Sequence, residues 1–246
     1  MEKFEEQDGV NVDVSDLQPA SLATRINMYV QDNLKLVCGV LIGIVVLTLA
    51  IVFGSKYMRE SAAKDREKAG TALSRVLPLI NQGTEESAKM ALYGNKSIVI
   101  RNEPLLGLVD IVKKYESTPQ GLLAAFYAGD QFLLMQDVKN AEKYFNIALD
   151  ADSKLVLEGS YAGLGAACEF KNDFKGAIEN YKKAVENNTN YASKNRYQYY
   201  CGLCYEKLNQ KDEAIKIYRG IIAENKAFEF IGKAKAGLVR LGTEIE

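Results

Sequence analysis

The 246-residue chain contains no histidine. That removes together the commonest general base, the Ser–His and Cys–His nucleophile pairs and every His-ligated zinc arrangement. There is also no GxxxxGK[ST] loop and no strand-linked GxGxxG, so no phosphate-cradling motif is present. Net charge is almost absent, with 31 Lys and Arg against 32 Asp and Glu. Residues 1–35 hold seven of the acids and three of the bases, which leaves 28 bases and 25 acids for the remainder. So small an excess falls short of the concentrated basic face that nucleic-acid binding needs, and no nucleic-acid partner is expected. Cysteine is scarce as well: Cys38, Cys168 and the CxxC pair Cys201 and Cys204. In a helix that pair falls on one face, a spacing open to redox or metal chemistry. A second CxxC that would complete a zinc site is missing, and the flanks lack a strand-to-helix redox context, so small buried residues at packing positions are the simpler account. No catalytic, cofactor or metal site is expected, and the chain is not expected to be an enzyme.

What the sequence does have is one uninterrupted apolar run, Leu36 to Phe53, 18 residues without a charge. As a helix it rises about 27 Å, close to the hydrocarbon thickness of a bilayer. It begins after a charged stretch and ends without a small-residue cleavage pattern, so it is expected to be an uncleaved transmembrane helix over 36–54 in contact with lipid. Cys38 lacks the preceding apolar stretch and the small residue of a lipid-attachment site. Gly39 and Gly43 form a small-xxx-small pair that could pack another membrane helix.

Around this anchor the chain divides into further regions. Residues 1–20 are acidic, poor in large apolar groups and expected to be disordered. Over 21–35, Leu22, Ile26, Tyr29, Val30 and Leu34 recur at helical spacing behind a candidate N-cap, Ser21. This is either an amphipathic helix on the membrane surface or a continuation of the anchor. Residues 56–117 are expected to be a helical linker and N-terminal helices. The anchor runs on through Ala69, Leu73, Val76, Leu77 and Ile80, a short helix follows Thr84, an extended loop spans Tyr93 to Asn102, and Pro104 opens a helix to Tyr115.

From Gly121 onward the chain repeats itself. Twelve residues before Ala141, Ala177 and Ala214 stand Gly129, Gly165 and Gly202; four residues after them stand Phe145, Tyr181 and Tyr218. The spacings between copies are 36 and 37 residues. Each copy contains two helical stretches separated by a polar turn, and small residues on facing helices allow close approach while the aromatic fills the gap to the next pair. This pattern resembles the tetratricopeptide repeat, a helix-turn-helix unit that stacks into a right-handed superhelix with a concave groove. The second copy agrees with it at Tyr161, Leu164, Gly165, Phe174, Ala177, Tyr181 and Ala184, whereas the first departs at Ala125 and the third at Cys201 and Ile221. The period exceeds the usual repeat of about 34 residues and the unit-ending proline is missing, so longer helices or turns should follow. The fold expected is all-α: a transmembrane helix and then a tetratricopeptide-like solenoid over 118–246. Its three repeats lie at about 122–156, 158–192 and 195–227 and are closed by a capping helix from Phe228 to Leu241.

The resemblance also assigns a surface. First helices of such units line the groove, which places Tyr127, Asp130, Leu134, Ala166, Phe170, Arg196, Tyr199, Leu203 and Lys207 there. Where carboxylate-clamp members of the family hold Lys and Asn, this chain has Ala162 and Ala166, or Tyr199 and Leu203, so capture of a C-terminal carboxylate is disfavoured. Tyr191, Tyr197, Tyr199 and Tyr200 cluster in the third unit, divided between binding and internal packing.

The order of acidic tail, amphipathic piece, single anchor and repeats, with the phrases Asn27 to Gly43 and Leu106 to Tyr115, is similar to bacterial single-pass tetratricopeptide proteins of the inner membrane. That group includes an ancillary subunit of the Sec translocon. The resemblance implies a cytoplasmic N-terminus, a periplasmic repeat domain, and protein partners such as translocon subunits, a membrane-anchored periplasmic chaperone or nascent secretory chains. Charge bias argues the other way, because Lys56, Arg59, Lys64, Arg66 and Lys68 follow the anchor while Arg25 and Lys35 precede it. The alternative expectation is therefore a scaffold facing the cytoplasm, or one serving envelope assembly or cell division.

Overall fold

The computed structural model describes residues 21–188, 190–226 and 228–244. The tail expected to be disordered over 1–20 lies outside them. The chain divides into two units, Met1–Arg59 and Glu60–Glu246.

In the first unit, α1 (Leu22–Asp32) begins where Ser21 Oγ accepts the Thr24 amide at 3.3 Å. It ends at Asn33, whose non-helical backbone sets α1 off from α2 (Leu34–Ile80), so the pre-anchor segment is a separate helix. The apolar run forms the N-terminal part of α2, with every side chain from Leu41 to Phe53 exposed. Nothing lies within 4 Å of where a Cβ would stand on Gly39 or Gly43.

The second unit opens on the rest of α2, which runs on past the charged flank and two residues beyond Pro78. Pro78 lacks the N–H that would bond the Ser74 carbonyl, and the helix stops two residues later. Ala69, Ala72, Leu73 and Val76 bury its apolar stripe. In α3 (Glu85–Tyr93), Thr84 and Ser87 form a reciprocal capping box, with side-chain-to-amide contacts of 3.1 and 3.2 Å.

The expected loop and the first residues of the helix expected to open at Pro104 are replaced by a β-hairpin. Strand β1 (Gly94–Ile100) pairs antiparallel with β2 (Glu103–Leu106), and Pro104 faces Val99. Arg101 and Asn102 turn between the strands at φ 52° and 63°, the left-handed pair that a two-residue hairpin turn demands. In the β-branched run, Val99 and Ile100 thus pair with Pro104 and Glu103, five and three residues downstream. Proline is tolerated because a two-stranded sheet is all edge. The next helix, α4 (Leu108–Tyr115), starts after Gly107.

The repeats are helical hairpins: α5 (Pro119–Leu134) with α6 (Val138–Ala148), α7 (Lys154–Phe170) with α8 (Phe174–Glu186), and α9 (Tyr191–Lys207) with α10 (Lys211–Glu224). The two 17-residue first helices α7 and α9 account for much of the long period. Each hairpin turns through one left-handed residue at the same place, Gln136, Asn172 or Asn209, at φ 58° to 59°. Asp137 and Asp173 then cap the second helix, accepting amides at 3.2 and 3.0 Å. Helix α11 (Phe228–Arg240) covers the last pair, burying Phe230, Ala234 and Leu238 against Ala214, Tyr218 and Ile221.

The repeat glycines and aromatics are one device. A Cβ on Gly129 would stand 2.6 Å from the Phe145 ring, one on Gly165 2.6 Å from Tyr181, and one on Gly202 would overlap Tyr218. The far faces of Phe145 and Tyr218 meet Gly163 and Gly237 of the following helices. At the corresponding place opposite Tyr181 stands Tyr200, its ring centroid 5.4 Å away.

A polar pattern follows the same register. The Tyr181 hydroxyl bonds to Glu169, and the Tyr218 hydroxyl donates to Glu206, which also accepts two N–H groups of Arg240 at 2.6 and 3.0 Å. In the first repeat the ring is Phe145, without a hydroxyl, and the residue twelve earlier is Leu133 rather than a glutamate. Replacing Glu206→Leu should cost about 1–2 kcal/mol by orphaning the tyrosine hydroxyl. Adding Tyr218→Phe should recover at least about 0.5 kcal/mol of that loss relative to additivity. Urea unfolding followed by circular dichroism measures both; strict additivity would contradict the pairing.

Candidate functional site

Helix α5 packs directly on α7, and residues at one repeat position on the first helices α5, α7 and α9 define rows. One row is Asp130, Ala166 and Leu203; a second, four residues on, is Leu134, Phe170 and Lys207. The second row is open: Leu134 is 47% and Phe170 53% exposed, and Lys207 is exposed. In the first row all three residues are partly buried. Sequence reasoning did not pick out Phe126, which shares its repeat position with Ala162 and Tyr199. Its ring fills the space a Cβ on Gly159 would need, at 2.6 Å. The only signal available was that repeat position.

Other expected groove residues are drawn inward. Tyr127 shares its repeat position with Gly163 and packs against the hydrophobic cluster of the first hairpin, its ring 5.3 Å from Phe126. Tyr199 lies 5.8 Å from Tyr218 and 6.1 Å from Phe230. Arg196 is exposed and its guanidinium rests 5.3 Å over the Tyr197 ring. Of the tyrosine cluster, Tyr197 is buried and stacks on Tyr181, Tyr199 and Tyr200 engage in ring contacts, and Tyr191 alone is exposed, under the Lys226 ammonium at 3.9 Å.

Two ionisable features of this surface are perturbed. The Asp130 carboxyl is partly buried, and burial lifts its proton affinity from the ordinary value of 3.8 to about 7. Among the described residues no hydrogen bond or ion pair holds it. The thiols of Cys201 and Cys204 are 1% exposed and unpaired with each other. Burial pushes Cys201 up to about 12; burial and then the adjacent Glu169 carboxylate push Cys204 higher still. Both are protonated at neutral pH, the opposite of a reactive thiolate. Among the described residues no group of three or more Cys, Asp or Glu side chains is placed to hold a metal ion.

The second and third hairpins match a known repeat family. Residues 159–191 and 199–228 match the family model of the tetratricopeptide repeat. A crystal structure of MamA protein is similar at 20% identity, with a TM-score of 0.44 over 68% of this chain and 83% of that one. No curated protein matches the chain. Two of the three hairpins thus match the tetratricopeptide repeat, and stacked helical repeats of this kind indicate a protein-interaction scaffold.

Two outcomes are expected from these groups. An Asp whose proton affinity rises on folding costs nothing while protonated in both states, near pH 3 to 4, and destabilises increasingly as pH climbs toward 7. Asp130→Asn should therefore raise stability by about 1–2 kcal/mol at pH 8 and leave it unchanged near pH 4, as thermal unfolding at the two pH values would record. Cys201 and Cys204 should resist iodoacetamide at pH 8 until denaturant is added, as read by peptide mass spectrometry; rapid native alkylation would contradict their burial.

Proposed function

We propose that this protein is a single-pass membrane scaffold that presents its repeat groove to other proteins at the periplasmic face of the inner membrane. In this reading it is an ancillary subunit of the Sec export machinery or of an associated chaperone. The observation that carries the reading is α2. Its apolar N-terminal part is long enough to cross a bilayer and has no side chain buried against the protein. Without lipid, that much exposed hydrocarbon would drive aggregation. The same helix extends to Ile80, and Ala69, Ala72, Leu73 and Val76 near its end join the core of the repeat unit. The resemblance in segment order to inner-membrane tetratricopeptide proteins supplies the orientation and the class of partner.

A second orientation is favoured by one observation, the run of basic residues Lys56, Arg59, Lys64, Arg66 and Lys68 after the anchor, which would hold that end in the cytoplasm. A cysteine introduced at exposed Glu186 decides between them. Labelling of Glu186→Cys by a membrane-impermeant maleimide in intact spheroplasts is the expected result; labelling only after lysis would move the scaffold to the cytoplasm. Co-purification of translocon subunits in mild detergent is expected alongside, and their absence while the translocon itself stays intact would remove the export role.

A further inference from the structure

Two clefts of about 280 and 230 Å³, both within the unit Glu60–Glu246, share Lys68 and Glu103 in their walls. The first takes Lys64, Lys68 and Arg75 from α2 and Arg101 from the hairpin turn; the second adds Lys114 of α4. Against these cations stand two carboxylates, Glu67 and Glu103. Glu103 is engaged with Arg75 at 2.7 Å, and the Arg75 side chain is only 11% exposed. Among the described residues no carboxylate pairs with Lys64, Lys68, Arg101 or Lys114, all of them exposed; the Lys114 ammonium rests over the ring of its neighbour Tyr115. Like charges gathered without counter-charges raise one another's energy, and an anion among them relieves it. Lys64, Lys68, Thr71 and Arg75 recur at helical spacing along one stripe of α2, about 16 Å from end to end. The second cleft continues this stripe into an apolar wall of Ala72, Pro104, Leu106 and Tyr115.

We propose that these clefts form a second interaction surface, separate from the repeat rows, that takes an extended acidic peptide segment carrying an apolar residue beside its carboxylates. The carboxylates lie along Lys64, Lys68 and Arg101, and the apolar side chain rests on Leu106 and Tyr115. Length favours this occupant, because a stripe of about 16 Å matches about five extended residues, whereas a single phosphate is compact and meets only part of the row. Glu67 favours it too. A densely charged phosphate chain could not avoid that carboxylate, but a peptide can place an uncharged residue opposite it. The apolar wall has the same implication, since it offers a phosphate nothing and a leucine or tyrosine a surface to cover. Two of the five basic residues that follow the anchor, Lys64 and Lys68, thereby have a use that does not depend on membrane orientation. The inference is likewise independent of what the repeat rows bind.

The test is selection of a random dodecapeptide phage library on the full chain in phosphatidylcholine nanodiscs, with counter-selection on the combined variant Lys64→Ala, Lys68→Ala and Arg101→Ala. Peptides that distinguish the two proteins should carry several Asp or Glu residues beside Leu, Tyr or Phe. The best synthetic peptide should bind the variant about tenfold more weakly, and its affinity for the unaltered chain should fall as salt is raised. Glu67→Gln removes the cleft carboxylate that Arg75 does not neutralise and should tighten binding about threefold, a gain that misfolding cannot imitate. If the combined variant fails to fold by circular dichroism, the same peptide with its acids changed to Asn and Gln carries the measurement on the unaltered protein, with the same loss expected. The inference is overturned if no peptide distinguishes the two proteins, or if those that do lack acidic residues. It is also overturned if inorganic tripolyphosphate binds the unaltered chain more tightly than the peptide and loses that binding in the variant. Each of these results leaves the scaffold role of the repeats in place.

Discussion

The stack depends on side chains that are missing. Gly129, Gly165 and Gly202 let an aromatic ring from the second helix of each hairpin lie directly against the first, and a single methyl group there would collide with the ring. Close packing of this kind leaves no slack, because protein interiors are as dense as organic crystals and an added carbon must displace something. With the ring in place, each position on a first helix is assigned: against its own partner, against the preceding hairpin, or free. The free positions include the exposed row Leu134, Phe170 and Lys207, so the surface proposed for a partner follows from how the glycines are spaced.

The same geometry governs the polar groups. Two of the three rings are tyrosines, and a hydroxyl carried into a tight interface must be bonded or it destabilises the fold. Glu169 and Glu206 meet that need, and Leu133 stands at the equivalent place where the ring is phenylalanine. Arg240 reaches back from the capping helix to Glu206, tying the end of the solenoid to its last repeat. The CxxC pair belongs to this structural economy too: both thiols are buried packing atoms, held neutral by apolar surroundings and by Glu169. Asp130 is different in kind, since burial acts on it without any compensating bond.

Much of this was legible in the sequence because it is periodic or compositional. The apolar run, the three-fold Gly–Ala–aromatic spacing, the caps at Ser21 and Thr84 and the polar turns each depend on residues close together in the chain. The segment from Tyr93 to Leu106 was not legible: Ile98 to Ile100 reads as strand, but its partner contains Pro104, which at the start of a helical stretch reads as a first-turn residue. Only the antiparallel pairing across Arg101 and Asn102 decided between them. The tyrosines of the third unit were divided in expectation between binding and packing, and three of the four turned inward because Tyr181, Tyr218 and Phe230 offered rings at contact distance.

Sequence alone determined that this chain is an apolar helix followed by helical hairpins and that it holds no histidine, since helix length, repeat spacing and missing residue types are properties of the chain itself. Tertiary structure decided which side chains remain available to a partner. Exposure depends on the neighbouring hairpin as much as on the residue: Phe170 stands free while Tyr197 is enclosed.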